Sequence, residues 1–291
     1  MTVVVGVIGV GNMGAAMARN LLTHGHAVHV HDIDPTSEQQ MRDAGAVVHD
    51  SPYALAQSAN LIIIAVVNAT QVNQVMAGEL GLSKALTSGH TVMLCPTISP
   101  DDAERFTQHI QSFGACVIDA PMSGGPARAL AGTMSLMIAC HEAVFSKHAA
   151  VLNVLSNQIF RISERPGDGA RTKLVNNLLA GIHLVGAAEV LVLAERMGLS
   201  AQTTLDVMAQ SSGQSWIGSD RMARALADDL VPRAHMTLLT KDTRLACEAA
   251  SAVNCDAPLG QLAAQVFAKA CDAGWADLDD AAMLQFLRQM N

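Results

Sequence analysis

Basic side chains are scarce in this sequence. Lysine and arginine total 18 against 26 aspartate and glutamate residues, so the formal net charge is −8. A protein this acidic has no general electrostatic attraction for nucleic acid or for an anionic membrane surface. We therefore expect neither partner, and a small anionic substrate would need a local cationic site.

The sequence also lacks closely spaced cysteine pairs. Its six cysteines include no C-x-x-C motif, and the interval from Cys247 to Cys255 is too loose to form one. This usage predicts reduced cysteines, mostly in the core, and a cytoplasmic protein.

A long uninterrupted apolar run is missing too. The longest candidate, from Leu178 to Ala194, contains His183 and Glu189. A buried helix is a better interpretation of this run than a membrane span. Because the N-terminus leads directly into a predicted strand, we also expect no secretory signal peptide.

The first half of the sequence contains short β-like runs that alternate with helical segments. Helices are expected to begin near Pro35, Pro52, Thr70 and Pro100. Repeated βα units predict an α/β fold, a Rossmann-type doubly wound and mostly parallel sheet. The predicted strands are Val3–Gly9, Ala27–Asp32, Leu61–Val67, Thr91–Cys95 and Ala115–Ala120.

The pattern changes near Glu164, after which long segments rich in Ala, Leu and Met follow without a convincing strand. A chain of 291 residues is long enough for about two domains. We therefore predict a dinucleotide-binding domain over residues 1–164 and an all-α domain over residues 165–291.

Glycines are concentrated where the first strand meets the first helix. Gly9, Gly11 and Gly14 form a G-x-G-x-x-G motif, with Asn12 and Met13 between them. Glycine permits the tight turn, the close approach of a pyrophosphate and tight helix–strand packing, while the helix N-terminus attracts phosphate. The motif predicts dinucleotide binding by these five residues; the alternative is a glycine-rich structural turn.

Asp32 ends the second predicted strand and bears on which dinucleotide binds. A carboxylate there accepts hydrogen bonds from the ribose hydroxyls of NAD and repels the 2′-phosphate of NADP. Ile33 follows it and offers no guanidinium. The position predicts NAD as the cofactor, the alternative being a solvated turn residue before Pro35.

Three later segments carry further polar residues. Ser123 lies beside two glycines in D-A-P-M-S-G-G, a composition suited to carboxylate binding. Lys173 and Asn177 are spaced to share one helix face, and Lys241 and Asp242 stand together further on. The alternatives are that Ser123 caps a helix and that Lys173 is an ordinary surface lysine.

Taken in order, these four motifs resemble those of the β-hydroxyacid dehydrogenase family, the group that includes 3-hydroxyisobutyrate dehydrogenase. The resemblance extends over essentially the whole chain. It implies a Rossmann domain joined by a long helix to an all-α domain, with an active site between the two. A non-catalytic protein that senses a dinucleotide with the same fold is the alternative from another class.

The resemblance also implies roles for individual residues. Lys173 would be the general acid and base, and Asn177 would orient Lys173 and the substrate. The substrate carboxylate would be held by Ser123, Gly124 and Gly125.

Further residues are implied beside the cofactor and the substrate. Asp242 would face the substrate next to Lys173, and Trp216 would either contact the substrate or belong to the core. The implied cofactor-binding residues beyond the glycine motif and Asp32 are Val66, Val67, Asn68, Thr97 and Lys241.

The substrate implied is a small anionic hydroxy acid. Segments around Trp216 and near the C-terminus are similar to the branch of the family that acts on L-threonate, so L-threonate or a related short sugar acid is expected. The alternatives are 3-hydroxyisobutyrate and tartronate semialdehyde. We expect a homodimer or homotetramer. We expect no metal, since His29 and His31 lack partners at ligand spacing.

Overall fold

The computed structural model describes residues 3–290 of the chain. The chain divides into two compact units, Met1–Lys173 and Leu174–Asn291, and the point of division along the chain lies in the longest helix. The boundary predicted at residue 164 stays a prediction.

The first unit is built on one sheet with the strand order β3-β2-β1-β4-β5-β6-β8-β7, and β9 pairs with β8. Strands β1 to β6 pair in parallel, and β8 pairs antiparallel with β6 and β7. The strands are β1 Val5–Ile8, β2 Val28–His31, β3 Val47–Val48, β4 Leu61–Ile64, β5 Thr91–Leu94, β6 Cys116–Asp119, β7 Met122–Ser123, β8 Ser135–Ala139 and β9 Gln158–Ser163.

The central strands are continuous apolar runs because both of their faces are covered. Every residue of β1, β4 and β5 is buried. Val7 and Ile63 pack into the core on one face, and Ile62 and Ile64 into the core on the other. This arrangement confirms the predicted doubly wound, mostly parallel sheet.

The helices of this unit begin where the sequence supplies caps. Asp34, Ser51 and Ser99 each accept backbone N–H groups at a helix start, and a proline follows each in the first turn. The helices are α1 Asn12–Thr23, α2 Pro35–Asp43, α3 Pro52–Ala56, α4 Ala69–Ala77, α5 Pro100–Gln111, α6 Gly125–Leu130 and α7 Glu142–Leu155.

All five predicted strands are present, but the sequence reading missed the elements at the edges of the sheet. Strands β3 and β7 have two residues each, too few to show a period. Strand β9 is mostly exposed or half-buried and so has no apolar run. Strand β8 and helices α6 and α7 were missed as well.

The second unit is helical, as predicted, with no strand among its described residues. Its core gathers around Phe267, Met222 and Leu284, which are completely buried. The helices are α8 Asp168–Arg196, which begins in the first unit, and α9 Ala201–Gln210, α10 Trp216–Leu226, α11 Met236–Ala252, α12 Pro258–Ala270 and α13 Met283–Met290.

Helix α8 is long and apolar enough, by length and composition alone, to cross a membrane, and half of its most apolar window is buried within the fold. This burial favours the core-helix interpretation. Its other side, continued by the residue that follows its end, carries an exposed apolar row, which we call the α8 stripe. The stripe consists of Val175, Leu179, Val190, Leu193 and Met197.

All six cysteines are free thiols. Only Cys95 and Cys140 are buried, and Cys255 is exposed. The prediction that most cysteines lie in the core was therefore wrong, because Cys116, Cys247 and Cys271 are only partly buried and Cys255 lies in the exposed loop after α11.

Candidate functional site

The glycine motif forms the turn between β1 and α1, and its three glycines differ in what they permit. Gly9 has a φ of +88°, and a Cβ there would lie 2.9 Å from the Ala65 carbonyl oxygen. A Cβ on Gly14 would lie 1.9 Å from the Gly9 carbonyl oxygen. A Cβ on Gly11 would meet nothing within 4 Å. The fold thus requires Gly9 and Gly14, whereas Gly11 borders open space.

That open space lies at the N-terminus of α1. Gly11 is the N-cap, and because it is a glycine it has no side chain that could accept an N–H group of the first turn. Asn12 is exposed and Met13 packs partly against the core. A helix start with exposed backbone and no capping side chain suits a phosphate. The residues present therefore fit the pyrophosphate of a dinucleotide.

Asp32 lies beside this turn. One carboxylate oxygen accepts the N–H of Val10 at 2.6 Å, and the other accepts the N–H of Asp34 at 2.9 Å. Ile33 is 93% exposed. Asp32 is therefore more than a solvated turn residue, because it joins the end of β2 to the glycine turn. Each carboxylate oxygen has further acceptor capacity for a ribose hydroxyl.

The segments after β4 and β5 leave the same edge of the sheet as the glycine turn, because β1, β4 and β5 are parallel neighbours. Val66 is partly buried, whereas Val67 is exposed and its N–H donates to the Gln71 side chain at 2.7 Å. Asn68 caps α4 by accepting the Gln71 N–H at 2.9 Å. Thr97 is half-buried after β5. Their cofactor contacts stay predictions.

The D-A-P-M-S-G-G segment follows β6. Ser123 lies on β7, and the N-cap of α6 is Gly124, with no side-chain capping bond. The alternative that Ser123 caps a helix is therefore wrong. Gly124 has a φ of +127° and Gly125 a φ of +74°, and a Cβ on Gly125 would face open space. The predicted carboxylate-binding loop thus presents open backbone at Gly125.

In the second unit, Asp242 links two of the predicted site residues. Its Oδ2 accepts Nδ2 of Asn177 at 2.6 Å, and its Oδ1 pairs with Nζ of Lys241 at 2.7 Å. Asn177 and Asp242 are 8% and 5% exposed. Asn176 donates to Oδ1 of Asn177 at 3.0 Å. The sequence-predicted Asn177, Lys241 and Asp242 therefore form one polar cluster, in which Asn177 and Asp242 are buried and Lys241 is partly exposed.

Lys173 lies one helical turn before Asn177 on α8. It is only 7% exposed. Lysine is among the residue types that are least often buried, so the alternative of an ordinary surface lysine is wrong. A buried amine is instead a candidate for proton transfer.

Trp216 is the first residue of α10 and is 50% exposed, so it is not a core residue. The guanidinium carbon of Arg221 lies 5.9 Å from the centre of its ring, and Arg221 also donates to buried Asp280. Sequence reasoning did not single out Arg221. The substrate contact of Trp216 stays a prediction.

The histidines of β2 have partners that sequence reasoning missed. Nδ1 of His29 lies 2.7 Å from Nε2 of His49, and Nδ1 of His31 lies 3.2 Å from Oε1 of Glu38. Burial is the main cause that lowers the pKa of both His29 and His49. Over residues 3–290, no group of three or more His, Cys, Asp or Glu side chains is arranged to hold a metal.

Two protein families match this chain in tandem. Residues 4–163 match the family described as the NAD binding domain of 6-phosphogluconate dehydrogenase. Residues 167–287 match the family described as NAD-binding of NADP-dependent 3-hydroxyisobutyrate dehydrogenase.

Individual proteins are similar over nearly the full chain. L-threonate dehydrogenase of Escherichia coli O6:H1 is 33% identical over 282 residues, which cover 97% of this chain and 93% of that protein. Human mitochondrial 3-hydroxyisobutyrate dehydrogenase is 30% identical over 292 residues, which cover 98% of this chain and 87% of that protein. The crystal structure of 3-hydroxyisobutyrate dehydrogenase from Salmonella typhimurium matches with a TM-score of 0.91 at 33% identity, covering 98% of this chain and 99% of that one.

Proposed function

Because the chain belongs to the family of 3-hydroxyisobutyrate and L-threonate dehydrogenases, NAD-dependent enzymes that act on CH–OH groups, we propose that it oxidises L-threonate or a related short sugar acid. The reaction is reversible, and the second candidate substrates are 3-hydroxyisobutyrate and tartronate semialdehyde. The observation that carries the proposal is the buried Lys173, one helical turn from Asn177 on α8.

Lys173 acts as the general base in the oxidation and removes the proton of the substrate hydroxyl. In the reduction the ammonium form returns that proton to the developing alkoxide. When bound, NAD supplies the hydride acceptor, and in the reverse direction NADH is the donor.

Asn177 orients the substrate and Lys173. Its amide is held by Asp242 on the nitrogen side and by Asn176 on the oxygen side. Because these partners fix which atom is the donor, an incoming hydroxyl meets a side chain of defined orientation. Fixed orientation of this kind contributes to rate by reducing the entropy lost in reaching the reactive geometry.

The substrate carboxylate binds Ser123, Gly124 and Gly125. The Ser123 hydroxyl does not cap α6, and its O–H is a donor suited to a carboxylate. The dinucleotide is held by the turn from Gly9 to Gly14 and by Asp32, with Val66, Val67, Asn68, Thr97 and Lys241 nearer its nicotinamide end. Ser123→Ala is therefore expected to raise KM for the hydroxy acid without weakening NAD binding.

Replacement of Lys173 tests the catalytic assignment. Lys173→Ala is expected to lower kcat by about 10²–10⁴-fold, the usual contribution of general acid–base catalysis. Lys173→Arg should not restore turnover, since a guanidinium does not deprotonate near neutral pH. NAD binding measured by calorimetry should be retained by both variants. A near-wild-type kcat for Lys173→Arg would contradict proton transfer by this side chain.

The substrate is tested by NADH formation across hydroxy acids of three to six carbons, with both threonate enantiomers and 3-hydroxyisobutyrate included. NADH oxidation with tartronate semialdehyde tests the remaining candidate. The highest kcat/KM is expected for L-threonate. A different short sugar acid in first place would fit the same mechanism.

A homodimer or homotetramer is part of the proposal. It is supported by the α8 stripe, a row of exposed apolar side chains of the kind that marks protein interfaces. Leu193→Asp in the stripe is expected to reduce the molar mass measured by light scattering. Val253→Asp, at an exposed apolar residue outside the stripe, is the matched control. A monomeric wild-type protein would exclude this part of the proposal.

A cytoplasmic location is also proposed. The free cysteines support it, because a reducing compartment keeps thiols free. The test is fractionation of cells that express the chain, with activity expected in the soluble cytoplasmic fraction.

A further inference from the structure

The D-A-P-M-S-G-G segment begins with a buried acid whose function the reaction does not explain. Asp119 ends β6 and is 3% exposed. Its carboxylate accepts the N–H of Ala170 at 3.3 Å, and the backbone N–H groups of Gly167 and Gly169 act on it to lower its pKa. The acid thus caps the start of α8, the helix that carries Lys173.

Gly169 makes this approach possible. A Cβ at Gly169 would lie 2.9 Å from both Cγ and Oδ1 of Asp119, and 2.8 Å from the carbonyl oxygen of Met137 on β8. The first turn of α8 is therefore in direct contact with the side chain that ends β6 and with the backbone of β8. No larger residue at position 169 fits unless the helix shifts.

The cap differs from the other α-helix caps in being a buried carboxylate: Asp34, which caps α2, is exposed, and buried Asp279 caps only the short 3₁₀ turn Asp280–Ala282. Helices α3, α5, α9 and α10 are capped by serine hydroxyls, namely Ser51, Ser99, Ser200 and Ser215. A buried carboxylate is more costly than a hydroxyl, since its charge must leave water. Burial accordingly raises the pKa of Asp119 to about 6. A cap needed only to start a helix does not require this group.

We propose that Asp119 is a positioning residue for Lys173: its carboxylate and Gly169 together fix where α8 begins, and so where the amine one turn later lies. This inference rests on the proposed role of Lys173. Ser123 follows Asp119 on the same short segment. One side chain at the end of β6 therefore sets the position of the base and lies at the start of the carboxylate-binding loop.

A double-mutant cycle tests the proposal, with kcat expressed per NADH-binding site. Asp119→Asn keeps the size of the side chain but turns an NH₂ group toward backbone donors. It is expected to lower kcat by about 10- to 100-fold, since misplacement of a catalytic group by about 1 Å costs on this scale. In the Lys173→Ala background the same change should have little further effect, because no amine remains to be positioned.

Ser51→Ala is the matched control, since it removes another buried helix cap in the same unit, and it should leave kcat per site unchanged. Equal fold-losses from Asp119→Asn in both backgrounds would overturn the proposal, as would an unchanged kcat in the wild-type background. Full activity of Lys173→Ala would instead overturn the proposed function. If Asp119→Asn does not fold, Gly169→Ala enters the same cycle with the same expectations.

Discussion

The Asp242 carboxylate accepts a hydrogen bond from Asn177 at 2.6 Å through one oxygen, and its other oxygen forms an ion pair with Lys241 at 2.7 Å. An acid held between an amide and an ammonium group has a fixed orientation, and so has the amide. Asp242 is thereby the residue through which Asn177 and Lys241 are coupled. This coupling supports a role for Asp242 in orienting Asn177, beside the substrate contact predicted for it.

Asp242→Asn is expected to lower kcat/KM by about 10- to 100-fold. A hydrogen bond to a charged group contributes about 1.5–3 kcal/mol, and each 1.4 kcal/mol corresponds to about tenfold. The new amide also removes the charge that faces Lys241. Steady-state kinetics with the best hydroxy acid provides the measurement. Asp256→Asn, at an exposed acid of the same unit, is the control, and equal kinetics for the two variants would contradict the prediction.

Gly11→Ala separates cofactor binding from folding. Because an added Cβ meets nothing within 4 Å, the denaturation midpoint of the protein without cofactor should stay close to wild type. The methyl group would nevertheless occupy the space where the pyrophosphate is expected, so Kd for NAD should rise at least about tenfold, a loss of about 1.4 kcal/mol. Calorimetric titration and denaturant unfolding give the two readouts.

Two other glycines serve as references for this experiment. Gly14→Ala should lower stability even without cofactor, because its Cβ would lie 1.9 Å from the Gly9 carbonyl oxygen. Gly89→Ala, whose nearest contact is an ordinary 3.5 Å, should change neither readout. Unaltered NAD affinity in Gly11→Ala would show that the pyrophosphate does not occupy this space.

The sequence was sufficient for the parts of the fold in which local pattern and tertiary structure agree. Strands β1, β4 and β5 are buried on both faces, so their sequences are continuously apolar, and prolines after Asp34, Ser51 and Ser99 mark helix starts. Strand β9 could not be found in this way, since its exposed edge has no periodic apolar signal.

The residues of the candidate site likewise include some that a local sequence pattern predicts and others that depend on tertiary structure. The glycine motif and Asp32 follow from spacing, because the chemistry of a phosphate and a ribose requires particular residues at short sequence distance. The contact of Asp119 with Gly169 and Ala170 joins segments about fifty positions apart, and Asp242 meets Asn177 from another helix. Such pairings depend on tertiary structure, and no local pattern encodes them.

The cofactor preference follows from Asp32 and Ile33. The enzyme should have a higher kcat/KM with NAD than with NADP, since the carboxylate repels a 2′-phosphate. Asp32→Ser with Ile33→Arg should shift this ratio toward NADP. Because Asp32 also accepts the Val10 N–H, the double variant should lose some activity with both cofactors. Asp34→Ser, at an exposed acid nearby, controls for a general charge effect. Equal kcat/KM for NAD and NADP in the wild type would contradict the assignment.

The stability of the protein should carry a pH signature of Asp119. Its folded pKa of about 6 lies above the ordinary value of 3.8, mainly through burial, with Asp168 adding a smaller rise. Between these values the folded state binds a proton that the unfolded state does not. Stability from this group is thus present below pH 3.8 and is lost as the pH rises through about 6. His141 and Glu164 line the same small cavity as Asp119.

The buried side chain of His148 changes the stability of the protein with pH in the opposite direction. Burial lowers the pKa of His148 from 6.5 to about 4, so its contribution is present above pH 6.5 and is lost as the pH falls toward 4. The wild-type pH profile alone therefore mixes the two contributions. Subtraction of the Asp119→Asn profile removes the His148 contribution, which both proteins share.

Relative to Asp119→Asn, the wild type should therefore gain about 1 kcal/mol of unfolding free energy between pH 7.5 and pH 5.0. The absolute difference at one pH has no such clear sign, because the variant loses a buried charge and backbone acceptors together. Denaturant unfolding of the full-length protein at both pH values gives the measurement, and Asp101→Asn, at an exposed acid on α5, should show no pH-dependent difference from wild type. A gain at pH 7.5 instead would mean that Asp119 is stabilised as a carboxylate beyond its cost of burial.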